Sequence, residues 1–259
     1  MNILVVGCSM TYGAGLEHSK LDKRLWSNKL FKDVFGKDVN ITNGSKIGRN
    51  NHWIFLETMD YLAKNTYDLI VVAWSAIPRY EYHVDLEMYS THTMLKDKSG
   101  INTNRFGTVS ARWLTETGNR LRRIHNDHWD LLNLVKYTNI LLNSTQGNKV
   151  LFVNTLMSLP TNYFNRKTIS LPYELTAYEH EILNVDARSD GNIKEMYNMM
   201  HDQYSKYGGI QEDKWLNLYK SLSEMQIDDA SDSDTHPGYA SQDVFIKKFI
   251  PLLREKIKK

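Results

Sequence analysis

Residues 2–13, Asn-Ile-Leu-Val-Val-Gly-Cys-Ser-Met-Thr-Tyr-Gly, decide the fold. Ile3 to Val6 is an unbroken apolar, largely β-branched run that stops at Gly7. A strand with one wet face alternates apolar and polar residues. A continuous run instead predicts a strand buried on both faces, as in a parallel sheet covered by helices. The polar loop from Cys8 to Gly15 leaves the carboxyl end of that strand, which is where open parallel sheets gather their ligands.

Working outward, residues 21–35 read as a helix with Leu25, Leu30 and Phe31 inward and Gly36 as its stop. Residues 38–42 (DVNIT) read as a second strand, followed by the turn Asn43-Gly44. Residues 52–64 carry Trp53, Phe55, Leu56, Met59, Tyr61 and Leu62, a helix with a broad apolar face. Residues 68–74 (DLIVVAW) form the clearest strand. Alternation of strand and helix at this spacing predicts an α/β protein with a parallel sheet.

Beyond residue 75 the pattern loosens. Residues 76–110 show no firm period; 112–142 return to helical spacing; 150–154 (VLFVN) make a fourth strand. Helices are expected at 192–206 and 211–222, and a fifth strand around 225–227. Residues 228–234 read as an acidic, serine-containing loop. The final helix, 238–257, has Val244, Phe245, Phe249 and Leu252 inward, with Pro251 able to kink it. Without repeats or linkers, the expectation is one domain, 1–259, with insertions at about 80–112 and 158–222.

Composition narrows the function classes. The formal charge is +2, from 32 Lys and Arg against 30 Asp and Glu. A dedicated nucleic-acid binder needs surplus cationic charge to neutralise phosphates, so that class is not expected. No stretch of about eighteen apolar residues is present, and no membrane span is expected. A single cysteine, Cys8, excludes an intrachain disulfide and suits a reducing compartment. With no secretion-signal pattern at the N-terminus, a cytoplasmic protein is expected.

Two loops carry the chemistry. Ser9 directly follows the first strand. It is either a helix N-cap in a tight turn or a nucleophile beside backbone N–H groups that could hold an oxyanion. The loop lacks the second glycine of a Gly-x-Ser-x-Gly elbow, since Thr11 stands there, and it lacks the Gly-Lys-Ser/Thr of a P-loop. Asp234-Thr235-His236-Pro237 lies just before the last helix. A serine needs a base to take its proton, neutral histidine is the usual one, and a carboxylate two residues earlier can fix its tautomer. Equally, Asp234 could cap a turn and His236, one of nine histidines, could be merely exposed. Cys8 reads as a small core residue rather than a nucleophile. His125, His128, Asp127 and Asp130 lie close together in sequence, but His128 falls on an apolar stripe and no zinc-ligand set is visible, so no metal is expected. The tyrosines Tyr80, Tyr82 and Tyr89 wall a substrate pocket or pack the insertion.

The block Gly7 to Gly13 resembles the first motif of the SGNH (GDSL-like) serine hydrolase family, and Asp234 to Pro237 resembles its last. Gly48-Arg49-Asn50-Asn51 is similar to the family's glycine block. The resemblance spans the chain from Ser9 to the last helix. It implies a three-layer α/β/α sandwich with a five-stranded parallel sheet, flavodoxin-like, and hydrolysis of an ester or acetyl group without metal or cofactor. By resemblance Ser9 is the nucleophile, His236 the base and Asp234 its partner, and the backbone N–H groups of Ser9 and Gly48 supply part of the oxyanion hole.

The sequence departs from that pattern twice. Where the family carries Gly-x-Asn-Asp after the third strand, this chain has residues 73–79, Ala-Trp-Ser-Ala-Ile-Pro-Arg, without the asparagine. One lost oxyanion donor costs roughly 10²–10³ in kcat; Ser75, Arg79, Asn50 and Asn51 are the candidate replacements. Arg79 is alternatively an ion-pair partner of Glu81. The family aspartate lies three residues before the histidine, where Ser233 stands here, so Asp234 or Asp232 must serve, or a Ser–His dyad operates. The Trp-Ser-x-x-x-Arg stretch resembles divergent members found in phage genomes. The expected substrate is a small-molecule or carbohydrate ester. The alternatives are a non-catalytic ligand-binding protein on the same scaffold and an acyltransferase.

Overall fold

The structure is a computed structural model that describes residues 1–75, 81–84, 87–90, 127–145, 150–156, 206–217, 221–231 and 234–258. Strand β1 (Asn2–Gly7) runs into a one-turn helix, α1 (Ser9–Tyr12). Helix α2 (Trp26–Phe35), strand β2 (Asn40–Asn43), helix α3 (Asn51–Lys64) and strand β3 (Leu69–Trp74) follow. Strands β4 (Glu81–Val84) and β5 (Glu87–Ser90) form a hairpin with Tyr82 opposite Tyr89. Next come helix α4 (Asp127–Ser144) and strand β6 (Val150–Asn154). Strands β7 (Asp229–Ser231) and β8 (Asp234–Pro237) pair antiparallel, and helix α5 (Tyr239–Lys258) closes the chain.

The expected α/β architecture is present. Among the described residues the main sheet has four strands in the order β2-β1-β3-β6, all parallel. Ile3, Leu4, Val5 and Val6 are fully buried, as are Val71, Val72 and Val153. Consecutive side chains point to opposite faces of a sheet, so complete burial of a run means that both faces are covered. Two helix pairs supply the cover. Helix α2 packs on α5, with Trp26 edge-on to Phe249 at 6.0 Å between ring centres. Helix α3 packs on α4, with Phe55 stacked on Tyr137 at 4.6 Å.

Several expectations need correction. The first long helix begins at Trp26, because the Asp22 carboxylate accepts the Arg24 N–H at 2.8 Å and turns the chain after a short 3₁₀ segment, Ser19–Leu21. No helix forms over 211–217. After a 3₁₀ turn, Glu212–Lys214, the chain extends so that Trp215 bridges to Phe152 and the Leu216 N–H donates to the Phe152 carbonyl at 2.9 Å. This stretch, not 225–227, borders β6; Ser223–Met225 is another 3₁₀ turn. The supposed acidic loop contains the β7–β8 hairpin, a pairing that its polar composition concealed. The inward stripe of α5 is rotated, with Ile246 and Leu253 buried beside Phe245 and Phe249. The helix continues through Pro251, which is exposed, so water can replace the lost hydrogen bond. The expected helix at 192–206, apart from Lys206, and most of both insertions lie outside the described residues.

Candidate active site

Tight packing positions the Ser9 turn. A side chain on Gly7 would come within 2.5 Å of Thr11 Oγ1 and 2.9 Å of the Ala73 methyl, so only glycine lets β1 bend there into α1. Gly13 ends the turn in the left-handed region, at φ +76°. The Thr11 carbonyl accepts the Asn43 Nδ2–H at 3.0 Å and the Ser27 hydroxyl at 3.3 Å, fixing the turn to β2 and α2. Cys8 is fully buried with its thiol 3.2 Å from Thr155 Oγ1, so it belongs to the core. Ser9 is 4 % exposed, and among the described residues its hydroxyl makes no hydrogen bond. Helix α1 is a single turn.

Strand β8 presents the other half. Cα atoms of α1 and β8 come within 8 Å of each other. Asp234 Oδ1 accepts the backbone N–H of His236 at 3.0 Å and lies 2.5 Å from His236 Nδ1. Burial pushes the Asp234 carboxyl up, but the His236 backbone N–H, the ring hydrogen bond and the ring's charge outweigh it and hold the group below its usual range. Asp234 is thus an anion fixing the ring with Nδ1 inward and Nε2 outward. No hydrogen bond joins Ser9 to His236; catalytic contacts of this kind are often loose without substrate.

The remaining sequence candidates fall in three places. Gly48, at φ +84°, lies on the loop after β2, whose Lys46 N–H donates to the Gly7 carbonyl at 3.2 Å. The backbone N–H groups of Ser9 and Gly48 donate to no protein acceptor among the described residues. Asn50 caps α3, its side-chain oxygen accepting the Trp53 N–H at 2.8 Å. Asn51 Oδ1 accepts the Ser75 N–H at 2.7 Å, tying the glycine-block loop to the end of β3. Arg79 and Asp232 lie outside the described residues.

Sequence reasoning missed the structural roles of Asp228, Gly15 and Gln242. Asp228 accepts N–H groups of Ala240 at 3.0 Å and Ser241 at 2.6 Å, and also the Ser241 hydroxyl, so it caps α5 from eleven residues before its first residue. Gly15 sits at φ +80°, where a Cβ would meet Asp234 Oδ2 at 2.8 Å and the Ala230 methyl at 2.6 Å. Gln242 accepts the Trp26 N–H at 3.0 Å and donates to the Pro237 carbonyl at 3.2 Å. Each acts across sequence separations that local patterns do not show. Among the described residues no group of His, Cys, Asp and Glu could hold a metal ion, and no helix is long and apolar enough to cross a membrane.

No family model matches the chain, and no curated protein does. Solved structures similar to it include TesA, with 14% identity, a TM-score of 0.45 and 99% of both chains covered. A member of the lipolytic G-D-S-L family from Veillonella parvula shares 12% identity at a TM-score of 0.43, with 98% of each chain covered. A carbohydrate acetylesterase family member from Sinorhizobium meliloti shares 11% identity at a TM-score of 0.44, covering 100% of this chain and 99% of that one.

Proposed function

We propose that the protein is a divergent serine hydrolase of SGNH type, a single domain that cleaves an ester or acetyl group from a small molecule or carbohydrate. The observation that carries this reading is the Asp234–His236 hydrogen bond on a strand lying against the Ser9 turn. Ser9 Oγ attacks the acyl carbonyl carbon as its proton passes to His236 Nε2. The carbonyl oxygen becomes an oxyanion, held by the N–H groups of Ser9 and Gly48. His236 then returns the proton to the departing alcohol, leaving an acyl-serine. Water, deprotonated by the same imidazole, hydrolyses that ester and frees Ser9. Ser75, Asn50, Asn51 and Arg79 are the residues from which a replacement for the family's oxyanion asparagine would come. The buried thiol of Cys8 suits a cytoplasmic setting.

The absence of a Ser9–His236 hydrogen bond favours a second reading, a non-catalytic binding protein on the same scaffold. Fluorophosphonate labelling separates the two. Wild type should label and Ser9→Ala should not; equal labelling would overturn the assignment of Ser9. Release of acid rather than a transfer product, in the presence of an alcohol acceptor, separates the hydrolase from an acyltransferase.

A further inference from the structure

We propose that Tyr239, held by Asp22, is a positioning residue that sets where strand β8, and with it the His236 ring, stands against the Ser9 turn. The inference rests on the reading of Ser9 and His236 as a reactive pair. Tyr239 is the first residue of α5 and follows His236 by three positions. Its phenol donates to Asp22 Oδ2 at 2.5 Å, while Asp22 Oδ1 accepts the Arg24 N–H at 2.8 Å. Asp22 is 3 % exposed, so both oxygens of its carboxylate need these donors. The Arg24 guanidinium lies 3.2 Å from the centre of the Tyr239 ring and covers it.

From Asp22 the connection to the Ser9 turn is short. The Asp22 carbonyl accepts the Asn28 side-chain amide at 2.8 Å. Asn28 adjoins Ser27, whose hydroxyl donates to the Thr11 carbonyl within the turn. The first turn of α2 therefore carries both attachments, and Tyr239 is a link from that turn to the histidine strand. Gln242 makes a parallel tie through Pro237 and Trp26. Helix α5 itself is seated by other means: Phe245, Phe249 and Leu253 are buried along it, and Asp228 caps its start. Loss of one phenolic hydroxyl leaves those anchors in place and alters the distance between β8 and the turn. The phenol is held above its usual range by the hydrogen bond to Asp22 and by burial, so it keeps its proton, and remains a donor, through neutral pH.

The test uses Tyr239→Phe and Asp22→Asn in the full chain, with two readouts. The first is solvent exchange of the His236 Nδ1 proton by NMR, which quickens as β8 moves off the loop after the Ser9 turn, where Gly15 lies against Asp234, whether or not the protein is an enzyme. The second is the rate of inactivation by a fluorophosphonate across pH. In Tyr239→Phe, exchange should quicken and inactivation slow by about tenfold each, the scale expected for misplacing a catalytic group by a fraction of an ångström. Asp22→Asn should shift both in the same direction, and it decides the matter if Tyr239→Phe does not fold. Unchanged exchange in the folded variants would overturn the proposal. Altered exchange with a wild type inert to the probe would keep the positioning role and overturn Ser9 as nucleophile.

Discussion

One carboxylate oxygen of Asp234 serves His236 twice, accepting its backbone N–H at 3.0 Å and lying 2.5 Å from its ring nitrogen Nδ1. The backbone contact fixes where the carboxylate sits, and the ring contact fixes which nitrogen of the imidazole faces outward. Asp234→Asn keeps the shape but presents either an amide N–H or a neutral oxygen to Nδ1. The ring then loses its enforced tautomer and its counter-charge. Hydrolysis of a p-nitrophenyl ester should fall by about 10⁴ in kcat, with KM little changed. A loss under tenfold would mean that His236 works without Asp234.

Acid should destabilise the protein through Asp228. Burial alone would raise this carboxyl, but the hydroxyl and N–H of Ser241, then the N–H of Ala240, hold it below the usual carboxylate range. A group whose folded pKa is depressed contributes stability that is present above the unfolded value and lost as pH falls through the folded one. Urea midpoints of wild type and Asp228→Asn should therefore differ at pH 7 and converge below about pH 4. At pH 7 the deficit should be about 1–2 kcal/mol, the usual cost of a lost helix cap. A gap that persists in acid would place the effect in packing rather than in the charge.

Much of this was legible from the chain. The sheet was, because Ile3–Val6, Leu69–Trp74 and Val150–Asn154 are continuous apolar runs whose composition admits little except a doubly covered strand. Ser9 was legible as the residue after the first strand, and Asp234 and His236 as a carboxylate and a histidine two residues apart before the last helix, but not that these two lie in a strand. What the sequence hid was pairing set by distant partners. Asp229–Ser231 carries no β-branched residue, and it is a strand only because β8 lies opposite and Asp228 is tied to Ser241. Trp215 read as helical by local spacing but is pulled extended beside Phe152, their ring centres 5.2 Å apart. Tyr239, Asp22 and Gln242 showed no periodicity to read, since each makes a hydrogen bond to a residue more than two hundred positions away.

Gly15 should be as sensitive as a catalytic residue. Its φ of +80° disfavours any side chain, and a Cβ there would meet Asp234 Oδ2 and the Ala230 methyl. Gly15→Ala should cost about 1–2 kcal/mol in stability and reduce kcat by displacing the carboxylate from His236. Gly36→Ala isolates the backbone contribution: Gly36 has φ +91° with nothing within 4 Å of a Cβ. That variant should lose comparable stability in a thermal melt yet keep full kcat per folded molecule. Equal activity losses in the two would show that strain alone explains Gly15.

Cys8 separates a neighbour of the proposed nucleophile from that nucleophile itself. The Thr155 hydroxyl donates to the Trp74 carbonyl at 2.6 Å, which leaves its oxygen as acceptor for the Cys8 thiol at 3.2 Å. The side chain is fully buried in the core at the end of β1. A thiol so placed reacts slowly, because burial keeps a reagent from reaching it. Native protein should resist a disulfide-exchange reagent that titrates one thiol after unfolding. Cys8→Ala should lower stability by about 1 kcal/mol, from the lost hydrogen bond and a small void, while kcat stays within about twofold, since only a neighbouring side chain has been trimmed. A kcat loss as deep as that of Ser9→Ala would move the nucleophile one residue back and reassign the chemistry from an oxygen ester to a thioester intermediate.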